Sequence, residues 1–531
     1  MKPTRTRSRT IAAASVLALV GLASANISAA NAEPAGQTDK LGKDAVELTR
    51  TTLWSEDFES VKTPTGFARD APEDWSIRNS EFSTGEERWA GWAFTNVRDW
   101  TWAVGTEQRH YFTRGHGTFA VAESRHQRLA EHDRMTTALQ SPQIDVKKQD
   151  VVELRFDSHY RQGAAPQHAT VSVSFDGGPA QELSRYTADK MSSHELLTVD
   201  VPDGARTASF SWSYNDSQND WFWAIDNVEV TEPMGKVEGE AYAVVDVISD
   251  IQGAIPQYKS AVAQLNEMQD PAGAMVVNGD YVDLGSEALY DEFEAATNEV
   301  PHDSGRTYFT IGNHEMLGAE GSETYIDRYL EFTGQDKVWR EEVVDGVPII
   351  LVNTEYYSDA DRGGVEPYVK ISDEQLGWLD TRLAYWAKQG KPALVFNHHV
   401  LPDTVSSSYS AWNQHDYYDL ESFAEVVGKY SNVVFFTSHT HMSLELEDWW
   451  GRYRAVGTDN ARGFPVVNTG AITYNTVPDG SDHEGDRLEG DHSTGLRVKV
   501  YEDRVRVEAW DFVRGEMIKH VDLPTPKKTR D

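Results

Sequence analysis

Five clusters of polar side chains, each directly after an apolar segment, carry the residues best suited to chemistry. They combine carboxylates, amides and imidazoles, which are hard or borderline ligands for divalent metals. Singly each cluster is weak evidence, because an Asp after a strand is often a turn residue and a lone His is often structural. Five in order seldom arise from the needs of folding alone, so together they predict a metal-dependent active site. The clusters are Ser249-Asp250-Ile251-Gln252-Gly253, Asn278-Gly279-Asp280-Tyr281-Val282-Asp283, Gly312-Asn313-His314-Glu315, Asn397-His398-His399 and Ser438-His439-Thr440-His441.

The apolar segments before these clusters are predicted strands of an α/β domain over residues 240–520. They alternate with amphipathic helices, and open α/β sheets place ligand sites at the carboxyl ends of their strands. A capping box of Ser372 and Gln375 begins one helix, and Gly428 ends another. Residues 496–500 and 504–510 are predicted to form a two-stranded finish. The other strands are predicted at residues 242–248, 274–277, 308–311, 349–352, 393–396 and 433–436.

Residues 51–232 have a different texture, with short alternating segments rich in aromatic residues. The segments Val152–Phe156 and Thr170–Phe175 are typical, and they predict an all-β sandwich. Nine of the 16 tryptophans precede residue 224. Exposed tryptophans would suit a carbohydrate-binding surface, whereas ordinary sandwich core accounts better for most of them.

This β-sandwich resembles the jelly-roll modules of secreted bacterial proteins, in an opening Asp57-Phe58-Glu59 and a closing Trp223-Ala224-Ile225-Asp226-Asn227. The resemblance implies a binding or anchoring module for a polysaccharide or a cell-surface ligand. The acids at both ends would suit a structural calcium ion, which prefers oxygen ligands.

The first 32 residues have the pattern of a signal peptide: a basic start, an apolar run from Ile11 to Ala23, and Ala30-Asn31-Ala32 before Glu33. A membrane anchor would need about 20 apolar residues, and this run is shorter. We expect a linker at residues 33–50, a tail at 521–531, no membrane span, and secretion of the mature chain.

Composition narrows the chemistry further. The chain has no cysteine, so any metal must be held by nitrogen and oxygen. It has 85 Asp and Glu against 49 Lys and Arg, for a formal net charge of −36. That charge repels polyanions and argues against a nucleic-acid polymer or an acidic membrane as partner. A small phosphate compound can still bind where bound cations reverse the local sign.

Over residues 240–515 the chain resembles the calcineurin-like metallophosphoesterase family, whose signatures are DxH, GDxxD, GNH followed by an acid, H, and GHxH. Gly279-Asp280-Tyr281-Val282-Asp283 and Gly312-Asn313-His314-Glu315 carry most of the resemblance. It implies a four-layer αββα sandwich that hydrolyses a small phosphomonoester or phosphodiester. The choice between the two ester types stays open, because it depends on pocket walls outside the motifs.

The resemblance also implies a role for each motif residue. Asp280 would bridge two divalent ions of manganese, zinc, iron or cobalt, whose shared hydroxide attacks the phosphorus. His314 would act as the general acid, and Asp283 would orient other site residues by hydrogen bonds. The remaining ligands would be Asp250, Gln252 and His441 for one ion, and Asn313, His398 and His439 for the other.

Two residues depart from the family pattern. Gln252 stands where the family usually has His, and its neutral amide oxygen binds transition metals more weakly than imidazole. Ser438 stands in place of a customary Gly. The Gln252 departure leaves an alternative reading open, in which the chain is a non-catalytic secreted adhesin or glycan-binding protein with a residual structural metal site. The retained His314 argues against that reading, since a structural metal site does not require it.

Two smaller questions also stay open. His399 could contact substrate or simply end its strand. The acidic segment 478–492 could be a lid or a second cation site, but its density of like charge favours a solvated surface loop.

Overall fold

The computed structural model describes residues 51–82, 85–237, 239–363, 367–411, 413–458, 460, 462–480 and 485–525. The predicted signal peptide (1–32) and linker (33–50) lie outside the described residues, as does most of the predicted tail. The described residues from Thr51 onward belong to one compact unit. Within these ranges, every helix is too short or too polar to cross a bilayer.

The N-terminal part is built almost entirely of β-strands, joined by turns and one α-helix, α1 (Val97–Val104). Short 3₁₀ turns lie at Glu87–Trp89 and Arg109–Tyr111. The strands are β1 (Thr52–Glu56), β2 (Phe67–Ala68), β3 (Ser76–Asn79), β4 (Trp92–Thr95), β5 (Phe119–Glu123), β6 (Met135–Gln140), β7 (Ile144–Asp145), β8 (Val151–Tyr160), β9 (His168–Phe175), β10 (Gln181–Tyr186), β11 (Lys190–Asp200), β12 (Thr207–Ser217) and β13 (Phe222–Thr231).

These strands form two antiparallel sheets that face each other, so the predicted all-β sandwich is confirmed. One sheet has the order β11-β8-β13-β5-β4-β2 with β1 on β13, and the other has the order β10-β9-β12-β6-β3 with β7 on β12. Alternating side chains of both sheets meet in one core that includes Phe156, Trp212 and Trp223. Most tryptophans of this part are buried, as expected, either in this core or in a second cluster around Trp100, whereas Trp102 on α1 is 86% exposed.

The C-terminal part alternates strands with helices. Its helices are α2 (Ile255–Glu267), α3 (Glu287–Glu299), α4 (Ser322–Thr333), α5 (Asp359–Arg362), α6 (Asp373–Lys388) and α7 (Leu420–Gly428), with a 3₁₀ turn at His314–Met316. Its strands are β14 (Ala243–Ile248), β15 (Ala274–Val277), β16 (Thr307–Phe309), β17 (Arg340–Val344), β18 (Val347–Leu351), β19 (Ala393–Phe396), β20 (Val433–Thr437), β21 (Trp450–Tyr453), β22 (Phe464–Asn468), β23 (Thr476–Val477), β24 (Asp486–Arg487), β25 (Thr494–Val500), β26 (Arg504–Asp511) and β27 (Glu516–Pro524).

Two six-stranded sheets form the centre of this part, with the orders β16-β15-β14-β25-β26-β27 and β17-β18-β19-β20-β22-β21. Residues such as Val247 of the first sheet and Phe396 of the second pack between them. The outer face of the first sheet is covered by α2 and α3, and that of the second by α6 and α7. The predicted four-layer αββα sandwich is therefore confirmed.

The predicted strands that precede the five polar clusters are all present, within two residues of their expected ends. The prediction of a two-stranded finish was wrong, because β27 adds a third strand to β26 and runs past residue 520 to Pro524. Its side chains are mostly half-exposed or exposed, so the buried alternation that would have indicated a strand is weak there. In the predicted capping box, the Ser372 hydroxyl accepts the backbone N–H of Gln375, as expected. The backbone N–H of Ser372 donates to the carboxylate of Glu355 and not to the side chain of Gln375.

The β-sandwich packs against the C-terminal part through a buried arginine. The Arg114 guanidinium lies 4.4 Å from the ring centre of Trp450 and donates to the carbonyls of Glu447 and Trp450. Arg454 donates to the side chain of Asn227, and Arg462 forms an ion pair with Glu229 at 3.4 Å. A buried cation satisfied across an interface is costly to separate, so these contacts resist parting of the two regions.

Candidate functional site

The strands place all five polar clusters at one edge of the sandwich. Strands β14, β15 and β16 run parallel in the first sheet, and β18, β19, β20 and β22 run parallel in the second. Their carboxyl ends meet at this edge. The amide of Asn278 braces the junction, because it reaches the carbonyls of Asn397 and Phe436 on the second sheet from the end of β15.

Asp280 lies at the centre of the site, where it is 1% exposed. Its Oδ2 is 3.2 Å from Nε2 of His398 and 3.3 Å from the amide nitrogen of Gln252. Its Oδ1 accepts the backbone N–H of His314 at 2.9 Å. The carboxylate therefore faces both groups of predicted ligands at once.

Two clusters of side chains could each hold a metal ion, and they share Asp280. Position one contains Asp250, Asp280 and His441, and position two contains Asp280, His398 and His439. Within each cluster the ligand atoms lie within 4.8 Å of one another. Gln252 adjoins position one, with its amide nitrogen 3.2 Å from Nε2 of His441, and Asn313 adjoins position two, with Oδ1 3.2 Å from Nε2 of His398. The structure thus brings together all seven ligands named from the sequence.

The hydrogen bonds at Nδ1 of His398 leave Nε2 as the ring nitrogen that faces the other site residues. Its Nδ1 lies 2.9 Å from the carbonyl of Asn278 and 2.9 Å from the hydroxyl of Ser438. A carbonyl at Nδ1 holds a proton there, so Nε2 is the nitrogen that can bind a metal once its own proton is lost. Ser438, which replaces a customary Gly, therefore helps to orient a predicted ligand.

The buried oxygens of Asp250 fit a cation. Neither carboxylate oxygen accepts a hydrogen bond within the described residues, and Oδ1 lies 3.2 Å from Nε2 of His441. A buried carboxylate without donors is costly unless a positive charge neutralises it. The donor set at position one therefore fits a divalent ion, although the amide of Gln252 must turn its oxygen inward to take part.

Charge within the site is strongly coupled. Burial opposes the charged form of Asp280, but the nearby His398 and His314 hold its pKa well below the usual range. Burial likewise opposes the charge of His398, yet the Asp280 carboxylate raises its pKa to about 10. Burial and repulsion from His398 lower the pKa of His439 to about 3. A proton on His398 thus occupies the place where a metal would supply positive charge.

Backbone strain concentrates in the same residues. A positive φ is unfavourable for residues with a side chain, and strain of this kind collects at functional sites because the surrounding structure must enforce it. The left-handed conformation is adopted by Asp250 (φ 50°), Gln252 (46°), Asp280 (53°), His439 (68°) and His441 (52°).

Two glycines of the motifs are required by close approach. A Cβ on Gly279 would lie 2.5 Å from the His398 ring, and its φ is +82°. A Cβ on Gly312 would lie 2.1 Å from Oδ1 of Asp280. Any side chain at either position would displace a predicted ligand.

His314 lies beside Asp280 but points differently from the ligands. Its Nδ1 lies 2.8 Å from the carbonyl of Asp283, and its Nε2 lies 3.9 Å from Oδ2 of Asp280. Burial lowers its pKa, but Asp280 and the Asp283 carbonyl outweigh that effect, and the net shift is upward. Asp283 therefore acts mainly through its backbone, since its carboxylate is largely exposed and 3.8 Å from the ring.

Glu315 supports the site in a way that the sequence did not reveal. Its buried carboxylate accepts the backbone N–H groups of Asp280, Tyr281, Val282 and Gly312 at 2.7–3.2 Å. It thereby ties the loop after β15 to the loop after β16. Burial and the charge of Asp280 raise its pKa to about 7. The acid that follows Gly312-Asn313-His314 was the only signal in the sequence.

Three aromatic or basic residues near the site were also missed. Tyr368 stacks on His399, with 5.4 Å between ring centres, and its ring lies 5.8 Å from that of His439. Tyr474 lies 4.3 Å from the ring of His441, and Arg487 lies over Tyr474. Tyr368 and Tyr474 come from loops and Arg487 from the short strand β24, none of which carries a recognisable motif. His399 itself is buried between Tyr368 and the rings of His398 and His439.

The four-layer sandwich and its doubled Asp and His site define the class of metal-dependent phosphoesterases. The family model for calcineurin-like phosphoesterases matches residues 243–443, and a model for a domain of unknown function (DUF4073) matches residues 444–529. The chain therefore contains a calcineurin-like phosphoesterase domain and is a hydrolase of phosphoric esters. The segment matched by the DUF4073 model does not form a separate domain, because it supplies β21 and β22 to the second sheet and β25–β27 to the first.

Among solved structures, the chain is similar to a dimetal phosphatase from Danio rerio, with 16% identity, a TM-score of 0.38, and coverage of 54% of this chain and 100% of that one. A purple acid phosphatase from yellow lupin (Lupinus luteus) seeds matches at 12% identity and a TM-score of 0.39, over 85% and 90% of the two chains. An adhesin domain of Lys-gingipain from Porphyromonas gingivalis matches at 19% identity and a TM-score of 0.22, over 35% and 98%. No curated protein matches the sequence.

Proposed function

We propose that the chain is a secreted phosphoesterase that uses two divalent metal ions and His314 as general acid to hydrolyse a small phosphate ester. The observation that carries the proposal is the position of Asp280, which two clusters of potential ligands share. A residue needed only for packing would have no reason to lie between two groups of potential metal ligands. The ordered motifs of the sequence and the family match support the same assignment.

The ions would be held at position one by Asp250, Gln252, Asp280 and His441, and at position two by Asn313, Asp280, His398 and His439. When bound, two divalent cations stabilise charge on the phosphoryl oxygens and acidify water. Nitrogen and oxygen ligands of this kind suit manganese, zinc, iron or cobalt. Asp280 would contribute one carboxylate to both positions.

His314 is placed to move a proton. The carbonyl of Asp283 keeps a proton on Nδ1, and the Asp280 carboxylate shifts the pKa of the ring upward, which favours a second proton on Nε2. As the ester P–O bond breaks, the leaving oxygen takes the Nε2 proton, and the oxygen of water forms the new P–O bond. The proton that this water loses passes to solvent, from which His314 is protonated again. General acid catalysis of this kind contributes about 100- to 10,000-fold to rates.

The test is a turnover assay of the purified chain with manganese, zinc, iron or cobalt, on an aryl phosphomonoester and an aryl phosphodiester. We expect metal-stimulated hydrolysis that is lost in Asp280→Ala and strongly reduced in His314→Ala. Glu374→Gln is the matched control, because this exposed acid pairs with Lys337 on the surface. Turnover without metal, or turnover unchanged in both site variants, would contradict the proposal. The ratio of the two substrates identifies the ester type.

Secretion rests on the N-terminal sequence, with its basic start, apolar run and small residues before Glu33. Mass spectrometry of the chain recovered from culture medium should find an N-terminus at Glu33. A chain retained in the cell with Met1 intact would contradict secretion.

For the β-sandwich we propose binding of a glycan, supported by a cleft beside α1. The cleft measures about 130 Å³ and is lined by Phe67, Arg88, Asp99 and Trp102, among others. Trp102 offers an exposed ring face on which a sugar ring can stack. The Arg88 guanidinium lies 4.6 Å from the centre of the Phe67 ring in the wall of this cleft.

Pull-down of the full chain on insoluble polysaccharides tests this second role. We expect Trp102→Ala to reduce retention about tenfold, whereas Leu196→Ala, which removes another exposed apolar side chain of the same module, leaves it unchanged. Equal retention of both variants on every polysaccharide would contradict a glycan site here. A calcium ion in this module stays a prediction. The two acids named for it, Glu59 and Asp226, accept the backbone N–H groups of Thr118 and His116, which belong to a single turn.

A further inference from the structure

A tyrosine and an arginine from the segment of unknown function stand beside position one. The ring of Tyr474 is tilted by 33° against the ring of His441, with 4.3 Å between their centres. The guanidinium carbon of Arg487 lies 4.2 Å from the centre of the Tyr474 ring. The side chains of Arg487, Tyr474 and His441 thus lie in one continuous stack.

Backbone hydrogen bonds fix this stack to the site. The N–H of Thr473 donates to the carbonyl of Asp250 at 3.0 Å, so the loop that carries Tyr474 is attached to a predicted ligand. The N–H of Thr476 donates to the carbonyl of His441 at 2.8 Å, and Thr476 pairs with Arg487 across the β23–β24 hairpin. Both residues are therefore held by the strand ends that hold position one.

The charge of Arg487 is unusual in its surroundings. Among the residues that the structure describes, no carboxylate lies within ion-pair distance of its guanidinium, although the chain has 85 acidic residues against 49 basic ones. The side chain is exposed, and its contact with Tyr474 is a cation–π contact, which leaves the N–H donors free. An arginine fork with free donors matches a carboxylate or a phosphate in two parallel hydrogen bonds.

We propose that Arg487, held on Tyr474, forms a subsite for a second anionic group of the substrate. The inference rests on the proposed phosphoesterase function and narrows it. The preferred substrate would carry, besides the scissile phosphate, a carboxylate or another phosphate on the leaving group. The same subsite gives the segment 444–529 a direct part in substrate recognition, in addition to its strands.

Steady-state kinetics on matched substrates test the subsite. Phenyl phosphate and 4-carboxyphenyl phosphate differ by one carboxylate, and propyl phosphate and propane-1,3-diol bisphosphate differ by one phosphate. We expect the wild-type chain to favour the more anionic member of at least one pair. Arg487→Ala should lower that preference in kcat/KM about tenfold, mainly through KM, since a charged hydrogen-bonding pair is lost from binding. Arg487→Lys should retain part of the preference.

Arg514→Ala is the matched control, because Arg514 is an exposed arginine of the same segment that pairs with Glu445 instead. Its preference ratio should equal that of the wild type. The pair that responds to Arg487→Ala distinguishes a carboxylate from a phosphate as the natural group. A ratio unchanged by Arg487→Ala in both pairs, or changed as much by Arg514→Ala, would overturn the subsite. Failure of the proposed function would look different: the wild type would then not hydrolyse the simple esters either.

Discussion

Positions one and two share Asp280 and the same strand-end architecture, but their other ligands are held differently. At position two, His398 is oriented by the Asn278 carbonyl and the Ser438 hydroxyl. At position one, the oxygens of Asp250 accept no hydrogen bond within the described residues, and Gln252 contributes an amide. Position two is thus organised by the protein before metal arrives, whereas position one depends more on the ion itself.

This difference predicts that the two positions differ in metal affinity and in the metal ion they prefer. Each position has one amide beside it, but position one has two carboxylates and one imidazole, whereas position two has one carboxylate and two imidazoles. Imidazole binds transition metals more strongly than oxygen ligands do, so we expect position one to release its ion first and to accept a harder ion such as manganese. Hydrogen bonds behind a ligand also strengthen metal binding. For the proposed metal centre we therefore expect one tightly bound and one loosely bound ion.

The largest expected effect comes from removing the residue that both positions share. Asp280→Asn keeps the size of the side chain but removes its charge. We expect turnover to fall by more than about 1,000-fold, because stabilisation of developing charge is lost at both positions. Metal analysis of the purified variant should find fewer than two ions per chain. A variant that keeps both ions and most of its activity would contradict a bridging role.

The next effect separates catalysis from metal binding. His314→Gln should lower kcat by about 100-fold or more, because the proton donor is lost. The loss should be greater for an alkyl ester than for an aryl ester, since a poor leaving group needs the proton more. Metal content should stay at two ions per chain, which distinguishes this variant from Asp280→Asn. Equal losses on both esters would argue against general acid catalysis.

A smaller effect should follow from making position one more like position two. Gln252→His restores an imidazole, and His tolerates the left-handed backbone that this residue adopts. We expect the more labile ion to dissociate about tenfold more slowly on dialysis against a chelator. Gln252→Ala serves as the matched variant and should lose the same ion faster than the wild type. No difference among the three chains would show that residue 252 does not bind metal.

The smallest expected effect is the number of protons released when a metal ion binds at position two. His398 has its pKa raised to about 10, so it is protonated at pH 7 and must lose that proton to bind metal. His439 has its pKa lowered to about 3 and has no proton to release. Metal affinity should therefore rise with pH up to about 10. Calorimetry at pH 7 in buffers of different ionisation enthalpy should find close to one proton released. A heat independent of buffer would contradict this assignment.

Much of the catalytic domain could be predicted because its strands are short, apolar and each followed by a polar cluster. The alternation of these strands with helices was enough to indicate one common edge for the clusters. Strand β27 was missed since its side chains are half-exposed and show little pattern.

The support around the site was harder to foresee. Glu315 binds four backbone N–H groups from two loops, and backbone partners leave no trace in the residue types. Tyr474 and Arg487 reach position one only because the β22 loop and the β23–β24 hairpin fold over it. Arg114 joins two regions more than 300 residues apart in sequence, which no local pattern indicates.

The central claim is that two ions bound around Asp280 carry out ester hydrolysis. The most direct test is to strip the chain of metal and titrate manganese back while measuring aryl phosphate turnover. We predict that activity rises in two phases and reaches its plateau at two ions per chain, with the second ion bound less tightly than the first. Gln252→His should shift the second phase to lower metal concentration. A plateau at one ion per chain, or turnover independent of added metal, would contradict the claim.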